Sequence, residues 1–291
     1  MTAAAASAAR PAPPPRTKRN LSLLMAAAVV VWALVTVEVD VTRLAALPAR
    51  LVDLVGRMFF PPAWDNLGRS LEAMLESLHM AWLGTVIGAL LSLPLGFFGA
   101  KNITSGRLST AMRQILNAIR AFPEIVLAVV VMIPIAGLGA PAGVLAIGVH
   151  SIGTLGKLTA EVIEGIDPGP VEAARAAGAG SVAVQRWGVL PQVLPEIVAF
   201  WLYRFEINIR AAAVLGIIGA GGIGGILQNY LQYRRWELAG MAVLVVIVAT
   251  ILIDTVSGTI RRRIIEGAEA RRVVAEAIEQ PEAAEVTERR R

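Results

Sequence analysis

The sequence predicts an all-α integral membrane protein with six transmembrane helices per protomer. Of its 291 residues, 56% are hydrophobic and only 17% are charged, and the mean hydropathy is +0.64. A soluble domain of this length would carry about a quarter charged residues. Several apolar stretches approach or exceed the roughly 20 residues that cross a bilayer. One polar segment, residues 161–195, interrupts an otherwise hydrophobic chain.

The N-terminal part divides into a tail, a first span and a surface helix. Residues 1–20 are rich in alanine and proline and carry basic side chains, so a disordered basic tail is expected. Residues 21–69 hold a first span at 21–37, which is long for a signal peptide and lacks a small-x-small cleavage site. Apolar side chains recur at helical spacing over 43–60, which predicts an amphipathic helix on the outer membrane surface.

The remaining spans lie in a core at residues 70–260. They are predicted at about 78–98, 121–136, 142–158, 198–218 and 238–256. A polar connection is expected at 99–119, and a glycine-rich stretch at 219–225 leads into a polar segment that reaches residue 237. The tail, residues 261–291, alternates arginine, glutamate and alanine, which favours a solvated helix ending in disorder.

The distribution of basic residues predicts that both termini are cytoplasmic. With the N-terminus inside, most loop lysines and arginines also fall inside, as the positive-inside rule requires. The exceptions are Arg43, Arg50, Arg57, Arg69, Arg234 and Arg235, which fall outside. The tail at 261–291 is then cytoplasmic as well.

Composition excludes several kinds of site. The chain has no cysteine, which excludes disulfides and thiolate metal sites, and its two histidines argue against a histidine-rich metal site. The net charge of +5 fits contact with anionic lipid and is no argument for nucleic acid. Neither GxxxxGK[ST], HExxH nor a Ser–His–Asp arrangement is present. We therefore expect no catalytic residue, no metal and no bound cofactor in this chain.

The polar segment at 161–195 predicts a helix–turn–helix loop between two spans. Turn residues at 167–170 begin it, and the first short helix follows. Gly178 is suited to end that helix, and Ser181 to cap a second one. Gly188 and Pro191 are expected to close the second helix. The first helix is alanine-rich, so another protein could approach its surface closely.

The same loop carries the pattern EAA, three residues, Gly, and then a distant hydrophobic–x–Leu-Pro. The matching positions are Glu172, Ala173, Ala174, Gly178, Leu190 and Pro191. This stretch resembles the cytoplasmic EAA loop of ABC-importer permeases. In that family the loop is the coupling helix, which docks into a cleft on the ATP-hydrolysing subunit. Gly188 departs from the bulky aliphatic residue usual in the family, and Val189 is available for that contact. The alternative is an alanine-rich connecting helix.

Two further stretches resemble phosphonate-importer permeases. They are ESLHMAWLGTVIGALLSLPLGFFGAKN at 76–102 and RFEINIRAAAVLGIIGAGGIG at 204–224, and the likeness covers about 70–265. The resemblance implies a type I ABC-importer permease fold in the bacterial inner membrane and a homodimer. It also implies two ATP-binding subunits that hold ATP and Mg inside, and a solute-binding protein outside. Phosphonate, phosphite or phosphate would be the substrate.

Four polar residues lie within the predicted fifth span, where charges face an interior or a water-filled path. They are Arg204, Glu206, Asn208 and Arg210, and the resemblance adds Gly219, Gly221, Gly222 and Gly224 to the translocation pathway. At 100° per residue, Arg204 shares a face with Asn208, and Glu206 shares another with Arg210. Either Glu206–Arg210 is a structural ion pair or an arginine attracts an oxyanion. Arg204, with only a neutral neighbour, is the better candidate.

Other polar residues favour structural roles. Arg120 and Glu124 predict an interfacial ion pair at a helix start, and His79 and His150 are expected to be packed or interfacial rather than proton relays. The GxGxxG match at 219–224 follows a membrane span and not a strand, which argues against a dinucleotide site. The rival function is an ion-driven secondary transporter with Glu206 as coupling carboxylate, which would need inverted repeats. An intramembrane enzyme ranks third.

Overall fold

The computed structural model describes residues 16–36 and 44–288, and it contains no strand among them. The helices are α1 Arg16–Thr36, α2 Leu47–Phe59, α3 Leu67–Gly99, α4 Gly106–Ala121, α5 Glu124–Ala136, α6 Ala140–Glu164, α7 Pro168–Ala176, α8 Ser181–Ala220, α9 Gly222–Gln232 and α10 Trp236–Glu288. Short π-helical turns lie within α5 and α8. The predicted all-α class is confirmed.

The chain divides into two units, residues 1–55 and 56–291. In the first unit α1 is long and apolar enough to cross a membrane. Residues 16–20, predicted to be disordered, are its first turns, while residues 1–15 lie outside the described part. Helix α2, which continues into the second unit, forms over most of the predicted amphipathic stretch and buries none of its residues. Its place on the outer membrane surface stays a prediction.

The second unit is built on the parallel pair α3 and α6. Three glycines of α3 face three residues of α6 in one register, namely Gly84 with Ile147, Gly88 with Ser151, and Gly96 with Thr159. A Cβ atom on Gly88 would lie 2.4 Å from the Ser151 Cβ. Small residues let the two backbones approach closely, which is how helices pack when lipid removes the hydrophobic drive between them.

Helix α8 runs antiparallel to this pair and joins two apolar clusters. Near its start, Val193 and Ile197 pack with Ile163 at the end of α6. Farther along, Ile209 and Ala212 belong to the larger cluster that fills the middle of the unit. One continuous helix therefore connects the loop at 161–195 to the centre of the bundle.

Among the described residues, three helices qualify as membrane spans by length and composition, and up to five if each bent pair is one span. The bent pairs are α4 with α5, at 88°, and the helix of 181–220 with α9, at 57°. Helix α6 has 25 residues but carries several glycines and His150 and Lys157, which lower its hydropathy. Counting α6 as well, and each bent pair as one span, gives six spans, which is the predicted number.

The prediction for residues 99–136 is wrong in detail. The expected polar connection contains helix α4, which buries Ser109 and Leu116. The expected third span is only α5, whose 13 residues reach about 20 Å and cannot cross a bilayer alone. Pro123 causes the break, because proline disfavours helical backbone at the preceding residue, and Phe122 is extended.

One predicted helix end is also wrong. Gly188 and Pro191 do not close the second loop helix, because a π-helical turn at Gln185–Val189 widens α8 and lets it continue. The expected polar segment after the glycine-rich stretch forms helix α9, with Ile223 and Tyr230 buried. The tail from residue 261 continues α10 as a helix through Glu288, as expected for its first part.

Candidate functional site

The EAA loop, residues 161–195, forms the predicted helix, turn and second helix. Ser181 does not cap the second helix as predicted, because it is the first helical residue and Gly180 occupies the cap position. Asp167 caps the start of helix α7, and its Oδ1 accepts a hydrogen bond from the Gly169 N–H at 2.9 Å. Gly178, with φ +78°, ends it in the left-handed region that favours glycine. The Ala179 N–H returns to the Ala174 carbonyl at 3.1 Å, which satisfies the last turn.

The residues that match the EAA pattern are mostly open to solvent. Glu172, Ala173, Gly178 and Pro191 are exposed, while Ala174 and Leu190 are half-buried. Two large apolar side chains of α8 lie in the same loop and are also exposed, Val182 at 80% and Trp187 at 71%. The loop thus presents small, acidic and apolar groups together. Grouped exposed apolar side chains indicate an interaction surface.

Gln192 holds the base of this loop, a role that the sequence did not reveal. Its Oε1 accepts the Asp167 N–H at 3.1 Å, and its Nε2 donates to the carbonyls of Asp167 at 3.2 Å and Gly188 at 2.6 Å. A Cβ on Gly188 would lie 3.1 Å from the Val171 Cα, so a bulky residue there has little room. Val189 is 2% exposed and packs in the apolar cluster at this end.

The last residue of α6 is tied to the α3–α4 connection. Glu164 Oε1 accepts the Lys101 N–H at 2.7 Å and forms an ion pair with Arg113. Burial acts to raise the pKa of Glu164, but the Lys101 hydrogen bond and the Arg113 guanidinium outweigh it and hold that pKa below its ordinary value. A cavity of about 290 Å³, bordered by Glu161 and Glu196, lies beside this end of α6.

A buried polar cluster lies midway along the bundle. It consists of Thr85, Glu124, His150, Ser151, Arg204 and Asn208. Arg204, 6% exposed, forms an ion pair with Glu124 and donates from Nε to Ser151 Oγ at 3.0 Å. The guanidinium that the sequence offered as the better substrate contact is therefore neutralised within the chain.

Asn208 and His150 complete the cluster. Asn208 Nδ2 donates to Thr85 Oγ1 at 2.8 Å and to Ser151 Oγ at 3.1 Å. His150 Nδ1 lies 3.1 Å from the Phe122 carbonyl oxygen, and its Nε2 lies 3.5 Å from Glu124 Oε1. The ring thus bridges the break between α4 and α5. In the sequence, Thr85 and Ser151 stand out only as single polar residues within apolar stretches. That pattern does not show that both contact Asn208.

Two ion pairs expected from the sequence are wrong. Glu206 contacts Arg261 of α10, with Nη1 and Oε1 3.4 Å apart, and Arg210 contacts Asp254 of α10, with Nη1 and Oδ2 3.5 Å apart. The expected Glu206–Arg210 pair is absent from these contacts because α10 lies alongside α8 and offers both opposite charges.

The expected pair of Arg120 with Glu124 does not form either. Pro123 separates α4 from α5, so the two residues do not share a helix face. Glu124 instead reaches Arg204 and His150. His79 is exposed on α3, whereas His150 lies within the polar cluster.

The glycine-rich stretch forms a bend between α8 and α9. Gly219, Gly221 and Gly222 have φ values of +105°, +86° and +64°, which other residues rarely adopt. A Cβ on Gly224 would lie 1.9 Å from the Ala213 carbonyl oxygen. The Ile223 N–H donates to Ser77 Oγ at 3.0 Å. The predicted irregular backbone is confirmed, and the described chain offers no strand for a dinucleotide-binding unit.

No group of three metal-ligating side chains occurs among the residues that the structure describes.

The family described as binding-protein-dependent transport system inner membrane component matches residues 92–266. The chain belongs to this family. It is a multi-pass membrane component of a transport system and not an enzyme, and the ion-driven alternative is not favoured. The matched range includes the EAA loop, the glycine bend and every residue of the polar cluster except Thr85.

Several relatives are transport permeases. The chain is 38% identical over 222 residues to the phosphite transport system permease protein PtxC of Stutzerimonas stutzeri, covering 76% of this chain and 80% of that one. It is 39% identical over 207 residues to the phosphate-import permease protein PhnE of Mycolicibacterium smegmatis, covering 70% of this chain but 39% of that longer one. It is 41% identical over 121 residues to the putative cryptic phosphonate transport system permease protein PhnE2 of Escherichia coli, covering 42% and 99%.

Solved structures support the type I importer fold. The inward-facing MetNI methionine ABC transporter matches with a TM-score of 0.60 at 23% identity, covering 67% of this chain and 95% of that one. A bacterial ABC transporter for the acidic polysaccharide alginate matches with a TM-score of 0.58 at 16% identity, covering 85% and 96%. At these identities the likeness concerns the fold alone.

Proposed function

We propose that this chain is the permease subunit of an ATP-driven ABC importer for phosphonate or a related phosphorus oxyanion, phosphite or phosphate. The observation that carries this proposal is the 38% identity to a phosphite transport permease over 76% of the chain. Likeness to permeases named for phosphate and phosphonate supports the same substrate class. The substrate is delivered by a solute-binding protein, as the family description implies.

The proposed assembly is a homodimer in the bacterial inner membrane. Two ATP-binding subunits on the cytoplasmic side hold ATP and Mg, and the binding protein docks outside. Both termini of this chain are cytoplasmic in this arrangement. The concentration of lysine and arginine in the segments at 99–119 and 161–195 and after residue 260 supports that orientation.

The EAA loop couples the permease to the ATPase in this proposal. The proposed contacts are Glu172, Ala173, Ala174, Gly178, Leu190 and Pro191. Gln192 and the close packing at Gly188 fasten the loop helix to α8. Helix α8 continues for about 60 Å to the glycine bend. Displacement of the loop by the ATPase would therefore move α8 and the bend together.

The proposed pathway keeps the residues named from the sequence but gives them different tasks. Arg204, Glu206 and Asn208 are buried in the chain, so they support the wall of the pathway. Arg210 lies on an exposed face of α8. The glycines at 219–224 form the bend at the far end, where irregular backbone is tolerated if it lines a cavity.

Reconstituted uptake tests the substrate class. The permease, its ATPase and its binding protein are placed in liposomes, and uptake of labelled phosphite, methylphosphonate and phosphate is measured with and without internal ATP. We expect ATP-dependent uptake of at least one of these anions, with sulfate as the control anion. Uptake that ignores ATP but follows an ion gradient would contradict the proposal.

Substitution of Gly178 by tryptophan tests the coupling surface. The left-handed backbone costs the new residue about 1–2 kcal/mol, so the chain should still insert and fold. The bulky side chain at the exposed tip should abolish ATPase docking and ATP-driven uptake. Gly106→Trp is the matched control, because a Cβ there also meets nothing within 4 Å but lies outside the loop. Normal assembly and uptake by Gly178→Trp would remove the loop from coupling.

A further inference from the structure

One face of α8 is uncovered and carries a charge at its centre. Tyr203, Val214 and Ile217 are 48%, 45% and 38% exposed, and the Arg210 side chain is 53% exposed. Their spacing of seven, four and three residues places them on one helix face. Another face of the same helix is buried, with Arg204 at 6%. Arginine therefore occurs on both faces of α8 in two different environments.

Arg210 and its partner both lie within predicted membrane spans. Arg210 is near the middle of the span at 198–218, and Asp254 lies toward the end of the span at 238–256. Its side chain is 39% exposed. The single contact between the two groups, Nη1 to Oδ2, is 3.5 Å, and Asp254 Oδ1, itself a buried atom, has no hydrogen-bond partner among the described residues. The pair is thus ionic, partly exposed and incompletely hydrogen-bonded.

A half-exposed ion pair at this depth is incompatible with contact to lipid tails. Charged groups inside a bilayer face the protein interior or a water-filled cavity because hydrocarbon cannot solvate them. The translocation pathway of an assembled transporter is such a cavity, and the face that holds Tyr203, Arg210 and Val214 is an exposed, charged face available to border it.

We propose that Arg210 and Asp254 form an exchangeable oxyanion position in the translocation pathway. Asp254 neutralises the guanidinium while the pathway is empty, and a phosphorus oxyanion replaces it as the partner during passage. This inference rests on the proposed function. A guanidinium donates to two oxygens of one phosphorus centre at once, which a lone 3.5 Å carboxylate contact does not use. Arg204 cannot take this role while Glu124 and Ser151 occupy its donors.

Cysteine labelling tests whether this face borders water. The chain has no native cysteine, so a single substitution supplies its one thiol, and labelling is read on the band of this chain. Val214→Cys lies on the proposed face, and Val248→Cys, at a residue 55% exposed on α10, is the apolar control. In the reconstituted complex, a charged thiosulfonate that does not cross membranes should modify Val214→Cys about tenfold faster or more, because thiols react as thiolates in water. Equal, slow labelling of both would overturn the inference.

Transport by the same complex tests the exchange. Arg210→Gln should lower phosphite uptake per ATP hydrolysed by about tenfold or more. Uptake by Arg210→Lys should lie between that of Arg210→Gln and that of the unsubstituted complex, because lysine keeps the charge but not the bidentate donor. Asp254→Asn should retain more uptake than Arg210→Gln, because the anion and not the carboxylate is the partner in transit. Arg107→Gln, at an exposed residue of α4, is the control and should transport normally.

The outcomes separate this inference from the proposed function. If the unsubstituted complex takes up none of the three anions, the proposed function fails while the labelling result still reports on the water-filled face. If it transports and Arg210→Gln matches it, the oxyanion position is wrong. Equal losses in Arg210→Gln and Asp254→Asn would indicate a structural ion pair and overturn the exchange.

Discussion

The EAA loop and the buried polar cluster are held in opposite ways. The loop keeps its shape through backbone turns, one aspartate cap and the amide of Gln192, while its side chains stay open to solvent. The cluster is buried between helices and depends on charges and hydroxyls that meet only there. Substitutions in the loop should therefore affect coupling more than stability. Substitutions in the cluster should affect stability first.

The largest effect is expected from breaking the buried ion pair. Arg204→Gln leaves the Glu124 carboxylate without its cation in a mostly buried site, which should lower the free energy of unfolding by about 3–5 kcal/mol. The measurement is the yield and thermal unfolding of the detergent-extracted chain. This reverses the expectation from the sequence, in which Arg204 meets substrate and Arg210 supports folding.

A second substitution sharpens this result. Adding Glu124→Gln to Arg204→Gln removes the uncompensated charge and should recover most of the lost stability. Arg210→Gln, at a half-exposed ion pair, should change stability by no more than about 1 kcal/mol and serves as the matched control. Equal destabilisation by Arg204→Gln and Arg210→Gln would mean that burial does not distinguish the two arginines.

A smaller effect is expected at the base of the loop. Gln192→Ala removes three hydrogen bonds, each worth about 1 kcal/mol at this partly exposed site. The first turn of α7 should loosen, and ATP hydrolysis should continue with less transport per ATP. Hydrogen exchange of amides at 167–176 and uptake per ATP measure the two effects.

The control for this prediction is another glutamine. Gln114→Ala changes an exposed side chain on α4 and should leave exchange at 167–176 unaltered. If the amides at 167–176 exchange at the same rate in Gln192→Ala as in the parent chain, the packing at Gly188 alone holds the loop.

The smallest effect concerns pH at the end of α6. Because the folded-state pKa of Glu164 is lowered, its stabilising contribution is complete above the ordinary value of 4.5 and is lost as pH falls through the folded-state pKa. The Glu164 side chain is partly exposed, at 27%, so solvent screening keeps the contribution to about 1 kcal/mol. Glu164→Gln should reduce the difference in unfolding temperature between pH 7 and pH 4. If Glu164→Gln leaves the difference in unfolding temperature between pH 7 and pH 4 unchanged, other carboxylates cause the acid sensitivity.

The sequence predicted those features that depend on neighbouring residues. Span positions follow from runs of apolar residues, and the turn at Gly178 follows from its own backbone requirement. The break at Pro123 was also local, yet it was missed because the apolar run continues through it. Helix α4 was missed because its many polar residues obscured the helical spacing of its apolar residues, among which Leu116 is buried.

The sequence by itself determined an all-α membrane chain, a helix–turn–helix loop with the EAA pattern and a glycine bend, because each depends on composition or on residues close in sequence. Only the tertiary structure decided the partners of the charges. Each observed ion pair joins residues far apart in sequence: Glu124 with Arg204, Arg210 with Asp254, and Glu206 with Arg261. No feature of the neighbouring sequence favours these pairs over Glu206–Arg210. Which arginine is buried and which faces outward depends on how α3, α6 and α10 surround α8. That arrangement is a property of packing and not of helical periodicity.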